Sequence, residues 1–209
     1  MKTPKNGKPY LVPRRYYEAL FEVAKAINSS LRVDDVLKSI TESTTKAMDA
    51  KGCGVLLLSP DKKKLWYGAS YGLSEQYLRR GEILADTSVA ETWNERRPVV
   101  VKRAAFDWRI QYREEVKKEG IGSILSVPLA LKDDIIGILR VYTSDPRVFP
   151  QEEIDFVQAI ADLAAIALEN ARLREWINRD KDEIRTDLTD WYVARDLETF
   201  IKNLSIPPQ

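Results

Sequence analysis

Between Ser123 and Ser144 the chain reads SILSVPLALKDDIIGILRVYTS. Two apolar runs flank a short charged break, the pattern of a hairpin of two long strands. Side chains alternate faces along a strand. Leu125, Val127, Leu129 and Leu131 therefore share one face of the first strand, and Ile124, Ser126, Pro128 and Ala130 the other. In the second, Ile135, Gly137, Leu139 and Val141 alternate with Ile136, Ile138, Arg140 and Tyr142. A slip of one residue exchanges the faces. A two-residue turn at Asp133-Asp134 sets Arg140 among the leucines, where an unpaired guanidinium is costly. A three-residue turn over Lys132 to Asp134 pairs Leu131 with Ile135 and gathers the large aliphatics, and this register is preferred. One face is then a dry core. The other is mixed, carrying Ile124, Ser126, Ala130, Ile138, Arg140 and Tyr142. Two readings of it stay open: a small-molecule pocket, or a face covered by short helices and loops with Arg140 paired to a carboxylate.

The rest of the chain supplies layers for such a sheet. Residues 1–15 read as a polar arm. From Tyr16 to Ile27 the apolar residues recur at three and four, as in a helix. A second helix starts at Asp34-Asp35, where acidic residues suit the positive end of the helix dipole. CGVLLLS, from Cys53, and LWYGAS, from Leu65, form a first hairpin. A short helix ends at Arg80-Gly81. In ADTSVAETWNERRPVVV, Thr87 or Ser88 is placed to cap a helix, and Glu91 stands at capping-box spacing after Ser88. Pro98 introduces a strand at Val99 to Val101. After Pro150 a long helix begins whose apolar residues cover more than one face, so it requires a second packing partner. Residues 178–209 are a charged extension compatible with another amphipathic helix. The order predicts an α+β domain over 16–177.

Composition removes several chemistries. The 209 residues include no histidine and one cysteine, Cys53. That excludes a histidine general base and a Ser-His-Asp or Cys-His pair. It also leaves only carboxylates as metal ligands, with no spaced cluster of them. Cys53 itself reads as a small core hydrophobe. One cysteine allows no intrachain disulfide and fits a reducing cytoplasm. The net charge is +1 with both signs scattered, which argues against nucleic-acid and membrane-surface partners. Pairs such as Arg79-Arg80 read as solvated surface. No apolar run approaches the roughly 20 residues of a membrane span.

Four stretches in this order resemble the GAF family of sensory domains: LFEVAKAINSSLRVDDVLKSI from Leu20, VPL at Val127, IIGIL at Ile135, and FVQAIADLAAIALENARLRE from Phe156. The resemblance covers about residues 17–175. It implies a GAF-like (profilin-like) central antiparallel sheet, with N- and C-terminal helices on one face and a ligand pocket under short helices and loops on the other. It also implies a small cytoplasmic effector and a signal passed through the terminal helices. The bilin-binding and haem-binding members use histidine or related ligands that this chain lacks, which argues against haem and a covalent bilin. The free methionine sulfoxide reductases on this fold need more than one cysteine. The chain is therefore read as a non-catalytic sensory domain, with a ligand-free dimerisation module as the alternative.

If a ligand is held, three groups of residues are candidates. The hairpin face offers Ile124, Ser126, Ile138, Arg140 and Tyr142. The helix over residues 86–94 offers Ser88 and Thr92. The segment after Val101 offers Phe106, Asp107, Trp108, Arg109 and Tyr112, whose aromatics suit closure over a ring. Asp107 and Arg109 are equally compatible with a plain surface pair, and Trp93 with core. A homodimer through helices 16–27 and 151–177 would satisfy the surplus apolar face of the long helix. An open volume of roughly 300 Å³ or more with convergent polar groups favours the sensor. Filling of that space by Trp93, Trp108 or Tyr112 favours the module.

Overall fold

The computed structural model describes residues 13–29, 32–88, 90–132 and 134–174. Helices α1 (Arg14–Ser29) and α2 (Val33–Ala47) come first, followed by the hairpin β1 (Gly52–Leu58) and β2 (Lys64–Tyr71). The short elements α3 (Glu75–Leu78), β3 (Ile83–Leu84), α4 (Ala85–Ser88), α5 (Ala90–Glu95), β4 (Val99–Val101) and α6 (Arg113–Lys118) follow. The long hairpin β5 (Ser123–Leu131) and β6 (Asp134–Thr143) then leads to helix α7 at 151–174. The strands form one sheet in the order β3-β2-β1-β6-β5-β4, and every pairing is antiparallel. The long hairpin thus sits near the middle, where both of its faces are covered.

The aliphatic face of that hairpin is the main core. Leu125, Val127, Leu129, Leu139 and Val141 pack with Tyr16, Ala19 and Val23 of α1, with Val36, Leu37 and Ile40 of α2, and with Phe156, Val157, Ile160 and Ala164 of α7. Each such aliphatic contributes about 1.5–3 kcal/mol by leaving water. Tyr16 stacks on Phe156 with ring centroids 4.3 Å apart, joining the first helix to the last. Cys53 is fully buried in this core, and burial pushes its thiol pKa well up. Asp34 and Asp35 lie in the first turn of α2.

The register holds along most of the hairpin and changes at its tip. Val127 pairs with Leu139, Ser126 with Arg140 and Leu125 with Val141, as the three-residue turn requires. Beyond Leu129, however, Ala130 pairs with Ile135 and Leu131 with Asp134. The turn is one residue shorter, and Ile136 is the extra residue of a bulge. Lys132 takes up φ 52°, the left-handed conformation that tight hairpin turns demand. Gly137 follows the bulge, where a Cβ would stand 2.4 Å from the Leu56 carbonyl oxygen. A side chain there would force β1 and β6 apart.

The helix predicted to be capped at Thr87 or Ser88 is preceded by a further helical turn. Residues 85–88 are already helical, and Ala85 N–H donates to the Lys63 carbonyl. Thr87 Oγ1 donates to Asp86 Oδ1 instead of capping. The Glu91 carboxylate is engaged by Arg97 and Arg109.

Helix α7 opens with Arg147 paired to Glu153 at 3.0 Å. The chain divides into a unit ending at Leu168 and a second beginning at Glu169, and the fold and site described belong to the first. The arm at 1–12 and the extension predicted over 178–209 lie outside the described residues. Among the described residues, no helix is long and apolar enough to cross a membrane.

Candidate functional site

The outer face of the sheet divides in two. Toward β1 and β2 it is filled. The Tyr67 ring lies over Gly54, where a Cβ would meet Tyr67 Cε1 at 2.6 Å, so glycine is what lets the ring lie flat on β1. The Tyr67 and Tyr142 hydroxyls meet at 2.9 Å. Tyr77 meets Tyr142 edge-on at 6.0 Å. Arg80 lies 3.8 Å over the Tyr77 ring, with its Nη2 donating to the Tyr67 hydroxyl at 3.1 Å and its Nη1 to the Tyr77 carbonyl. Arg80 is thus half-buried in an aromatic cage and not the solvated surface residue its sequence suggests. Stacking over rings suits a guanidinium, which is weakly hydrated for a cation. Burial drives the pKa of Tyr142 and Tyr77 well up.

Toward β4 and β5 the same face is open. A cavity of about 400 Å³ lies between the sheet, α5 and the segment after β4. Its inner wall carries three buried polar side chains: Ser126, Arg140 and Thr92. Arg140 is 2% exposed, and its Nε donates to Ser126 Oγ at 3.2 Å. The cross-strand pairing of Ser126 with Arg140 sets that contact. Val99 and Val101 stand on the same face, because β4 pairs with Ser126 and Ile124 of β5. With Ile110 and Ala90 they make the apolar wall. Carboxylates of Asp86, Glu91 and Glu95 line it too, beside Thr87 and Asn94.

Trp108 lines this cavity while remaining 84% exposed, so its ring does not fill it. Arg109 is held on both sides, by Asp107 at 2.7 Å and by Glu91. Asp107 Oδ1 also accepts from the Arg109 backbone N–H at 3.0 Å. The hydrogen bonds from the Arg109 side chain above all hold the Asp107 carboxyl below the usual carboxylate range, against the opposing effect of burial and with a lesser contribution from the Arg109 backbone N–H. The Arg109 pKa is raised by the same contact. The pair is partly buried, with side chains 28% and 19% exposed, and bridges the segment after β4 to α5.

The structure thus gathers Thr92, Trp108, Arg109, Ser126 and Arg140 of the predicted residues around one cavity. It places Phe106, Asp107, Tyr112, Ile124, Ile138 and Tyr142 elsewhere. Asp107 supports Arg109 from outside the lining. Phe106 is 78% exposed. Tyr112 turns away, its hydroxyl donating to the Glu82 carbonyl at 2.7 Å. Ile124 and Tyr142 pack with Tyr77 and Val101, and Ile138 with Leu56, Leu65 and Ile83. Ser88 lies in the last turn of α4. Trp93 is half-buried.

Sequence reasoning did not select Asp86, Glu91, Glu95, Val99, Val101 or Ile110. The alternation of Val99 and Val101 was the available signal, but it points to the cavity only once β4 is known to pair with β5. Among the described residues no group of His, Cys, Asp and Glu is arranged to hold a metal.

Comparison with known proteins agrees with this architecture. The family model described as GAF domain matches residues 30–169. A methyl sulfide methyltransferase-associated sensor of Methanosarcina acetivorans is 23% identical over 78% of this chain and 17% of its own length. The formate hydrogenlyase transcriptional activator of Escherichia coli is 20% identical over 82% of this chain and 26% of its own length. The chain therefore spans only about a sixth to a quarter of the length of these relatives. A solved GAF domain from a phosphoenolpyruvate-protein phosphotransferase of Coxiella burnetii superposes with a TM-score of 0.69 at 17% identity, covering 77% of this chain and 96% of that one.

Proposed function

Because the chain belongs to the GAF family and is a sensory or regulatory domain of it, we propose that it is a non-catalytic sensor binding a small effector in the cavity against β4 and β5. The observation that carries this reading is the cavity itself. About 400 Å³ is left open beside three buried polar side chains, in a fold that closes the other half of the same face with aromatic rings. A pocket of this size, mostly apolar with a few convergent polar groups, suits a metabolite-sized ligand. Trp108 and Tyr112, which would have plugged it in a ligand-free module, do not. The lack of histidine and the burial of the sole cysteine support a role without covalent chemistry. A single reduced thiol also suits the cytoplasm.

The signal passes through a homodimer of the terminal helices. Tyr17 and Phe21 are one turn apart on α1 and are 60% and 67% exposed. Ile166 on α7 is 49% exposed. Large apolar side chains left in water on both terminal helices favour burial against a second copy.

Native mass spectrometry with gentle and then harsh activation tests both parts on the chain and on Val99→Phe, which fills the cavity. The expected result is a dimer carrying a releasable mass that Val99→Phe loses. A wild-type chain with no such mass, as purified or after incubation with a metabolite extract, defeats the sensor. A monomer by light scattering at micromolar concentration defeats the helix-borne dimer.

A further inference from the structure

Trp108 combines two properties that rarely meet in one residue. It lines the cavity, and it is 84% exposed. The chain on either side of it is fixed. Asp107 holds Arg109 at 2.7 Å, and Arg109 also pairs with Glu91 of α5. The Ile110 N–H donates to the Asp107 carbonyl at 3.1 Å, and Ile110 is buried. Earlier in the same segment, Ala104 is buried and its N–H donates to the Gly122 carbonyl at 2.9 Å. The backbone at Trp108 is thus anchored beside the cavity while the indole is left in water. Exposure alone does not single it out. Phe106 is 78% exposed on the same segment and lies outside the lining.

The sheet gives the cavity an apolar floor. Val99 and Val101 line it from one strand, with Ile110 beside them. Two residues apart on a strand, the valine side chains stand about 7 Å from each other on one face. An aliphatic body placed on that floor gains only by the area it removes from water. An aromatic ring gains the same area and can also stack on an indole or meet it edge-on. Binding of a ring would cover both the valines and Trp108, which an empty cavity leaves in contact with water.

Resting on the reading of the cavity as the effector site, we infer that the effector carries a planar aromatic ring, which lies on Val99 and Val101 and packs against the Trp108 indole. Trp108 is the residue that distinguishes a ring from an aliphatic body of the same size. The Arg109 clamp sets its place, and binding draws the indole out of water.

The test compares two neutral probes of similar size, 2-phenylethanol and 2-cyclohexylethanol, on the whole chain. Calorimetry gives the affinities, and the fluorescence difference between wild type and Trp108→Leu reports on the indole. The cyclohexyl probe is the more apolar, so hydrophobicity alone favours it. The phenyl probe is nevertheless expected to bind about two- to tenfold tighter, the effect of one aromatic pair. Trp108→Phe should keep that preference and Trp108→Leu should lose it. Neither change should disturb folding, because the side chain is exposed. Val99→Phe should abolish binding of both probes. Equal or tighter binding of the cyclohexyl probe, with both lost in Val99→Phe, overturns the aromatic inference and leaves the cavity reading standing. A phenyl preference that survives Trp108→Leu overturns the role of Trp108, and the exposed indole is then a surface for some other contact. Absence of binding of both probes at millimolar concentration overturns the inference as well. Only the further absence of any adduct that Val99→Phe removes defeats the cavity reading too.

Discussion

The two halves of the outer face use similar materials to opposite ends. Each contains an arginine withdrawn from water and at least one hydroxyl that accepts a hydrogen bond from it. Toward β1 and β2, Arg80 is enclosed by rings from two elements and a loop, and Tyr67 accepts from it. Toward β4 and β5, Arg140 meets Ser126, and the neighbouring positions are valines. The difference is side-chain volume. Tyrosines fill the space over one half and make it part of the core. Valine, serine and threonine leave it open over the other. A buried guanidinium is thus part of a filled core where aromatic rings close over it, and lines a cavity where they do not.

The comparison is broken most directly by Tyr142→Ala. Tyr142 is fully buried and touches both Tyr67 and Tyr77. Its truncation leaves a cavity in the filled half and is expected to cost about 3–5 kcal/mol in urea unfolding. Val99→Phe adds volume to the open half and is expected to change stability by less than about 1 kcal/mol, because the added ring enters existing space. Equal costs for the two would show that the halves do not differ as the geometry requires.

The same contrast explains what could be read in the sequence. The long hairpin was legible, faces included, because alternation over nine or ten residues leaves one register that buries the aliphatics. Its tip was not, since the bulge at Ile136 is a local adjustment with no periodic trace. The terminal helices were legible from their three-and-four spacing. The extra helical turn over residues 85–88 was not legible, because α4 and α5 are too short for their own period to speak. Arg140 and Ser126 were legible as pocket residues because they share the face opposite Leu125 and Val127. The division of that face was not. Tyr67 and Tyr77, Tyr112 and Tyr142 come from separate parts of the sequence, and only the folded sheet brings the first three round Arg80 and sets Tyr142 against Tyr67 and Tyr77. Tyr142 therefore looked like a pocket phenol, whereas it fills the closed half.

Alkali should act on the filled half. Tyr77 and Tyr142 have folded-state pKa values above the ordinary value of about 10. Their contribution is fully present below that ordinary value. It is lost as pH rises from there toward the folded-state values, because the unfolded chain releases these protons first. The expected decline is about 1.4 kcal/mol per pH unit for each phenol. Tyr142→Phe keeps the ring and removes one titrating group, so its stability should fall less steeply above pH ~10. Identical slopes in the two proteins would mean that Tyr142 ionises as freely in the fold as in water.

Acid should act on the open half, and more weakly. Asp107 is the carboxyl there whose pKa is depressed, chiefly by its hydrogen bonds from Arg109. A depressed carboxyl contributes stability above its unfolded value of about 3.9 and loses it as pH falls through the folded-state value. Asp107→Asn removes the charge at every pH, so the gap between wild type and variant isolates the ion pair. Both partners are partly exposed, and the gap is expected to be about 0.5–1 kcal/mol. It should be unchanged between pH 7 and 5 and shrink below pH ~4, while the Tyr142→Phe gap stays level over that range. A gap that does not close in acid would assign the effect of Asp107 to packing instead of charge. The Arg109 bridge would then be a spacer between α5 and the segment after β4, and the cavity would keep its wall at any pH at which the core survives.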